Sequence, residues 1–126
     1  MLKYEIESLV KFDDLKPAVH GVADSGHARV MLVCLRAGQV LKDHRSSSQV
    51  IAHFLSGKGI FVADGTPHEA SAGTILFQEP NHFHRIEAIE QCVILVTMTP
   101  HPGREGYPRD QIDRLIPRAR TDSPQE

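Results

Sequence analysis

The segment "EPNHFHRIEA" (79–88) carries His82 and His84 one residue apart, between Pro80 and an alternating run. Imidazoles at that spacing serve two kinds of chemistry: they ligate a divalent metal, or they hydrogen-bond a bound molecule. On an extended chain, residues i and i+2 share a face, so both rings point the same way if the strand already runs at His82. The chain has eight histidines. His20, His27, His68 and His101 sit in or beside turns, without a partner at metal spacing, and read as structural or solvated. Ser46, Ser47 and Ser48 invite a nucleophile reading. A serine nucleophile needs a base within reach, a third orienting group and an exposed elbow. No strand–turn–helix pattern surrounds these serines, so they read as a polar loop. Cys34 and Cys92 lie inside apolar runs with no basic neighbour on the same face, and read as buried structural thiols. No Gly-rich phosphate loop occurs.

The elements that would hold these residues are short and mostly of period two. Tyr4 to Leu9 alternates and reads as a half-buried strand. Asp13 to Val19 reads as a helical turn kept short by Pro17. "HARVMLVCLR" (27–36) is a long strand with a nearly continuous apolar centre, broken by Ala37-Gly38. "QVIAHFLSG" (49–57) is another strand. "GIFVADGTPHEA" (59–70) reads as a hairpin about Asp64-Gly65, a pair suited to the positive φ angles of a type I′ turn. Gly73 marks a further turn, and 74–78, 84–88 and 91–98 complete the strands. Short strands, frequent Gly turns and no helical crossover predict an all-β antiparallel sandwich or barrel.

The length of 126 residues fits one domain. A formal charge of -2 gives no basic surface for nucleic acid or an anionic membrane. No stretch is apolar enough to span a bilayer as a helix. Met1 to Leu9 mixes polar and apolar residues and does not read as a secretory signal. With two buried thiols, a cytoplasmic setting is expected. After Thr99 the chain becomes rich in proline. The expected division is a barrel over 1–102 and an arm over 103–126, with at most a short helix at 109–116 and disorder over the last residues.

Two stretches carry a resemblance. "AGQVLKDHRSSSQVIAHFLSGKG" and "SAGTILFQEPNHFHRIEA" resemble the two motifs of small single-domain cupins of the conserved-barrel (cupin 2) type. Gly38 is followed after five residues by His44, Gly57 stands at the closing glycine, and Gly73 is followed after five residues by Glu79, then Asn81 and His84. The resemblance covers roughly Arg29 to Pro102 and implies a double-stranded β-helix, or jelly-roll barrel. It also implies that His44 and His84 face one interior. In metal-binding cupins two His and one Glu of the first motif and one His of the second hold a divalent ion. Here Ser46 stands at the second His and Val50 at the Glu, so the metal motifs are degenerate.

His82 is the best replacement ligand if the strand extends that far. Alternation puts His53 with Ile51 and Leu55 on the opposite face from Val50, Ala52 and Phe54, and Gln49 faces the same way as His53. The expected pocket lining is His44, Ser46, Val50, Ala52, Phe54, Phe77, His84 and Ile86, with Val33 or Cys34. Such a pocket suits a small organic molecule better than a sugar or nucleotide. Three functions follow as expectations. The first is a barrel that binds a small ligand through His44 and His84. The second is a metal-dependent enzyme, dioxygenase- or isomerase-like, with Fe, Mn, Ni or Zn on His44, His84 and His82. The third is an interaction module acting through its arm. A homodimer paired through the outer face around His53 is expected in any case. The sequence names no catalytic residue.

Overall fold

A computed structural model of the chain describes residues 1–100. The expected arm, its short helix and its terminal disorder fall outside the described residues. Among the described residues, nine strands follow one 3-10 turn at Ile6–Ser8. They are β1 Ala18–Asp24, β2 Arg29–Leu35, β3 Val40–His44, β4 Gln49–Ser56, β5 Lys58–Ala63, β6 Thr66–Ser71, β7 Ile75–Gln78, β8 His84–Ala88 and β9 Cys92–Thr99. They form two antiparallel sheets, ordered β1-β2-β9-β4-β7 and β3-β8-β5-β6. This is the all-β double-stranded helix that the resemblance implies. Among the described residues there is no α-helix, and no helix is long and apolar enough to cross a membrane.

The inner faces of both sheets close on one core. Met31, Val33, Val50, Ala52, Phe54, Ile94, Val96 and Met98 come from the five-stranded sheet, and Leu41, Phe61, Ala70, Ile86 and Ala88 from the other. Phe54 is fully buried at its centre, a burial that contributes about 1.5–3 kcal/mol. A second apolar cluster lies on the outer face of the five-stranded sheet. There Ile6, Leu9, Val10 and Phe12 pack over Ala18, Val22, Leu32, Cys34 and Val93. This cover explains the continuous apolar run of β2. Its odd positions line the core and its even positions meet the N-terminal segment, so both faces are buried.

The start of the chain departs from expectation. Tyr4 to Leu9 forms no strand: Ile6 and Leu9, three residues apart across the 3-10 turn, supply the contact with the sheet, and Tyr4 is exposed. Asp13 to Val19 is no helical turn. Asp13 Oδ1 accepts the Leu15 N–H at 2.8 Å in an Asx turn, and β1 begins at Ala18. The Asp64-Gly65 turn is as expected, with φ of 49° and 83°. Gly57 cannot be replaced: at φ +81° its absent Cβ would lie 2.0 Å from the Gln91 carbonyl oxygen.

Candidate functional site

Strands β3 and β8 are antiparallel neighbours, and their register sets His44 directly opposite His84. Along β8, burial alternates with His84, Ile86 and Ala88 inside. The 84 ring is therefore carried inward by the same period that buries Ile86. A bulge between Leu41 and His44 in β3 turns His44 to meet it. The two imidazoles lie edge to face, 4.2 Å between centroids at 67°. On the other side of β8, Phe61 of β5 stacks on the His84 ring at 5.5 Å and 13°.

Hydrogen bonds fix how one ring is presented. His44 Nδ1 lies 2.7 Å from the Lys42 carbonyl oxygen. A carbonyl only accepts, so Nδ1 carries the hydrogen and Nε2 of the neutral ring keeps its lone pair. His84 Nδ1 is buried without a hydrogen bond of normal geometry; the main chain of His82, two residues back as Lys42 is for His44, makes only a weak contact with the ring. Both rings are held neutral. Burial pushes the His44 pKa down, against weaker upward pulls from the Lys42 carbonyl and Asp43. Burial, then the neighbouring His44, pushes His84 down to about 3, while the His82 main chain and Asp64 pull weakly upward. The pair is thus an uncharged hydrogen-bonding site beside an apolar core.

The other expected site residues divide. Val50, Ala52, Phe54 and Ile86 line the core next to Val33, whereas Cys34 faces the outer cluster. Phe77 is a correction. It pairs with Ile51 on the outer face of the five-stranded sheet and is 58% exposed, because in β7 it is Gln78 and Leu76 that turn inward. His82 is a second correction. The 79–83 segment is a loop with Asn81 at φ 67°, so period two does not extend back from His84. The half-exposed His82 ring gives its Nδ1–H to Asp64 Oδ2 instead. Ser46 is buried, but its hydroxyl accepts the Ser48 N–H at 3.0 Å and its carbonyl accepts the Asn81 N–H at 2.7 Å. The Ser48 hydroxyl donates to the Pro100 carbonyl. Ser46 and Ser48 therefore shape the loop and show no nucleophile geometry. His53 sits on the outer face between Leu95 and Ile75.

These residues do not fit the divalent-metal set of the metal-binding cupins. Among the described residues no group of three His, Cys, Asp or Glu side chains converges on a point. His82 is turned to Asp64, Ser46 is engaged by the chain and Val50 is apolar, which leaves two imidazoles without a carboxylate. Periodicity alone does not reveal the parts played by Phe61 and Asp64. Phe61 is signalled only once Gly59 is known to face inward, and Asp64 only once the hairpin tip is known to lie beside residues 82–83. A separate cavity of about 350 Å³, lined by Lys58, Gly59, Glu69, Ala70, Ser71 and Ile89, lies at the other end of the β5–β8 pair.

The family model of the AraC-like ligand binding domain matches residues 30–109, which includes both histidines and every strand from β3 to β9. The chain belongs to that family. Its fold is that of the RmlC-like cupins. An RmlC-like cupin from Desulfovibrio desulfuricans is 27% identical over 79% of this chain and 97% of its own, with a TM-score of 0.74. The TT1209 protein of Thermus thermophilus is 22% identical over 81% and 100%, with a TM-score of 0.75. A double-stranded β-helix protein from Klebsiella pneumoniae is 18% identical over 82% and 92%, with a TM-score of 0.74. None of the curated proteins compared with the chain matches it.

Proposed function

We propose that this AraC-like domain binds a small, largely apolar organic molecule, with His44 and His84 as the polar end of its site. One observation carries the reading: a neutral imidazole pair sits beside the core, and a buried nitrogen of His84 makes no hydrogen bond of normal geometry. A buried unsatisfied polar atom costs about 1–3 kcal/mol, so an apolar residue would serve stability better at this position. The His44 Nε2 lone pair accepts from a hydroxyl or N–H of the ligand, and Phe61, buried in the core, backs the His84 ring. The experiment is a thermal-shift screen of small aromatic alcohols, acids and amines, repeated on a His44→Ala, His84→Ala double variant. The variant folds and loses the shifts; retained shifts place the ligand elsewhere.

The second part of the proposal is a homodimer. Beyond Val93, which the N-terminal segment covers, the outward side chains of β4, β7 and β9 are Gln49, Ile51, His53, Leu55, Ile75, Phe77, Leu95, Thr97 and Thr99, and none is Asp, Glu, Lys or Arg. Ile75 and Phe77 are more than half exposed. A charge-depleted, aromatic-bearing patch on one face is the composition of an interface core, and a two-fold axis lets one patch cover its copy. Cys34 and Cys92 are both free and buried, which supports placing the protein in a reducing cytoplasm.

A further inference from the structure

The ladder between β5 and β8 ends at the pair Ala63 and His84. The next residue of β5, Asp64, has to leave the ladder because it begins the hairpin to β6, at φ 49°. Its main-chain N–H still donates to the Phe83 carbonyl at 2.9 Å. The return rung is made by the side chain: Phe83 N–H donates to Asp64 Oδ1 at 3.0 Å. The other carboxylate oxygen takes the Nδ1–H of His82. One residue thus holds two successive residues immediately before His84. On the far side of the same loop, the Asn81 N–H donates to the Ser46 carbonyl, just after His44.

The turn by itself does not require this. Asn or Gly at the first position of a type I′ turn gives the same backbone. A carboxylate supplies two acceptor oxygens, one for each N–H it meets here, and the Phe83 rung needs only one of them. We propose that Asp64 is the positioning residue of the histidine site: its carboxylate continues the β5–β8 ladder past the turn and so holds His84 against His44 and Phe61. The proposal rests on the reading of that pair as the binding site. It also gives His82 a role, as the second group the carboxylate anchors.

The test is NMR of the intact chain carrying Asp64→Gly or Asp64→Asn. Glycine keeps the turn and removes the carboxylate; asparagine keeps the turn and an oxygen for Phe83 N–H. The ring protons of His84 lie over Phe61 and are displaced by its ring current. Asp64→Gly should lose most of that displacement with little change in Tm, and Asp64→Asn should keep it. His84 lines unmoved in Asp64→Gly would overturn the proposal, as would equal loss in both variants. Amide exchange in the unaltered protein is a second measurement: Phe83 N–H should exchange as slowly as the ladder amides of β8, and exchange at loop rate overturns it. Neither readout involves a ligand. Phenol that binds without moving either ring would count against the histidine site and leave the clamp untouched.

Discussion

The ring of His84 on β8 meets the ring of His44 on β3 edge to face, at 4.2 Å between centroids, because the two residues are register partners in one antiparallel pair. Two neutral imidazoles are thereby brought together where the AraC-like fold encloses its interior. The contact gives the domain hydrogen-bonding capacity without charge. If the pair is the binding site proposed above, stability and binding compete at His84.

Acid should unfold the domain through these rings. An unfolded histidine titrates near ~6.5, while His84 in the fold is pushed down to about 3. Between those values the unfolded state holds the extra proton. The stability present above the unfolded value is therefore lost as pH falls toward the folded one, by at most about 1.4 kcal/mol per pH unit for one group. Urea unfolding from pH 7 to pH 4 should show this slope, and His84→Leu should flatten part of it. An identical slope in the variant would contradict the burial argument.

The same His84→Leu variant should be no less stable than the parent at pH 7, and up to about 1 kcal/mol more stable. It removes an orphaned nitrogen and keeps a similar volume beside Phe61. It should also abolish ligand-induced thermal shifts. A loss of more than about 2 kcal/mol would mean that the ring packs better than its unpaired atom implies.

Two glycines with similar φ should respond differently. Gly57→Ala drives a methyl into the Gln91 carbonyl, and should reduce stability by more than about 4 kcal/mol or prevent folding. Gly73, at φ +94°, has open space where its Cβ would be, so Gly73→Ala carries only the backbone cost of about 1 kcal/mol. Expression and Tm of the two variants check the contrast.

Much of this architecture is legible in the residues themselves. Alternation puts Val50, Ala52 and Phe54 on one face, the cupin resemblance implies that this face is the inner one, and Asp64-Gly65 announces its hairpin. What alternation cannot reach is any segment whose partner is remote in sequence. Tyr4 to Leu9 alternates but packs through Ile6 and Leu9 on a sheet face that no local pattern discloses. His82 is two residues from His84, yet the loop conformation at Asn81 separates their directions. Phe77 is large and apolar, which argues for burial, but the phase of β7 turns it outward. Val40–His44 and Ala18–Asp24 are edge strands with polar or mixed patterns, so no apolar alternation marks them as strands.

The outer face makes its own prediction. Phe77→Glu puts a charge on the exposed edge strand of the uncharged patch without touching the core. Light scattering should report a dimer for the parent and a monomer for the variant, with Tm of the variant within a few degrees of a monomeric control. A parent that is monomeric at all accessible concentrations would remove the dimer from the account.

The most direct measurement is the long-range proton–nitrogen spectrum of the histidine rings, recorded while a compound that raises Tm is titrated in. The nitrogens of His44 and His84 should shift together, saturating at the same concentration, and the His44→Ala, His84→Ala variant should give no Tm response. A compound that stabilises the protein and the double variant equally, with both rings unmoved, would contradict the histidine site.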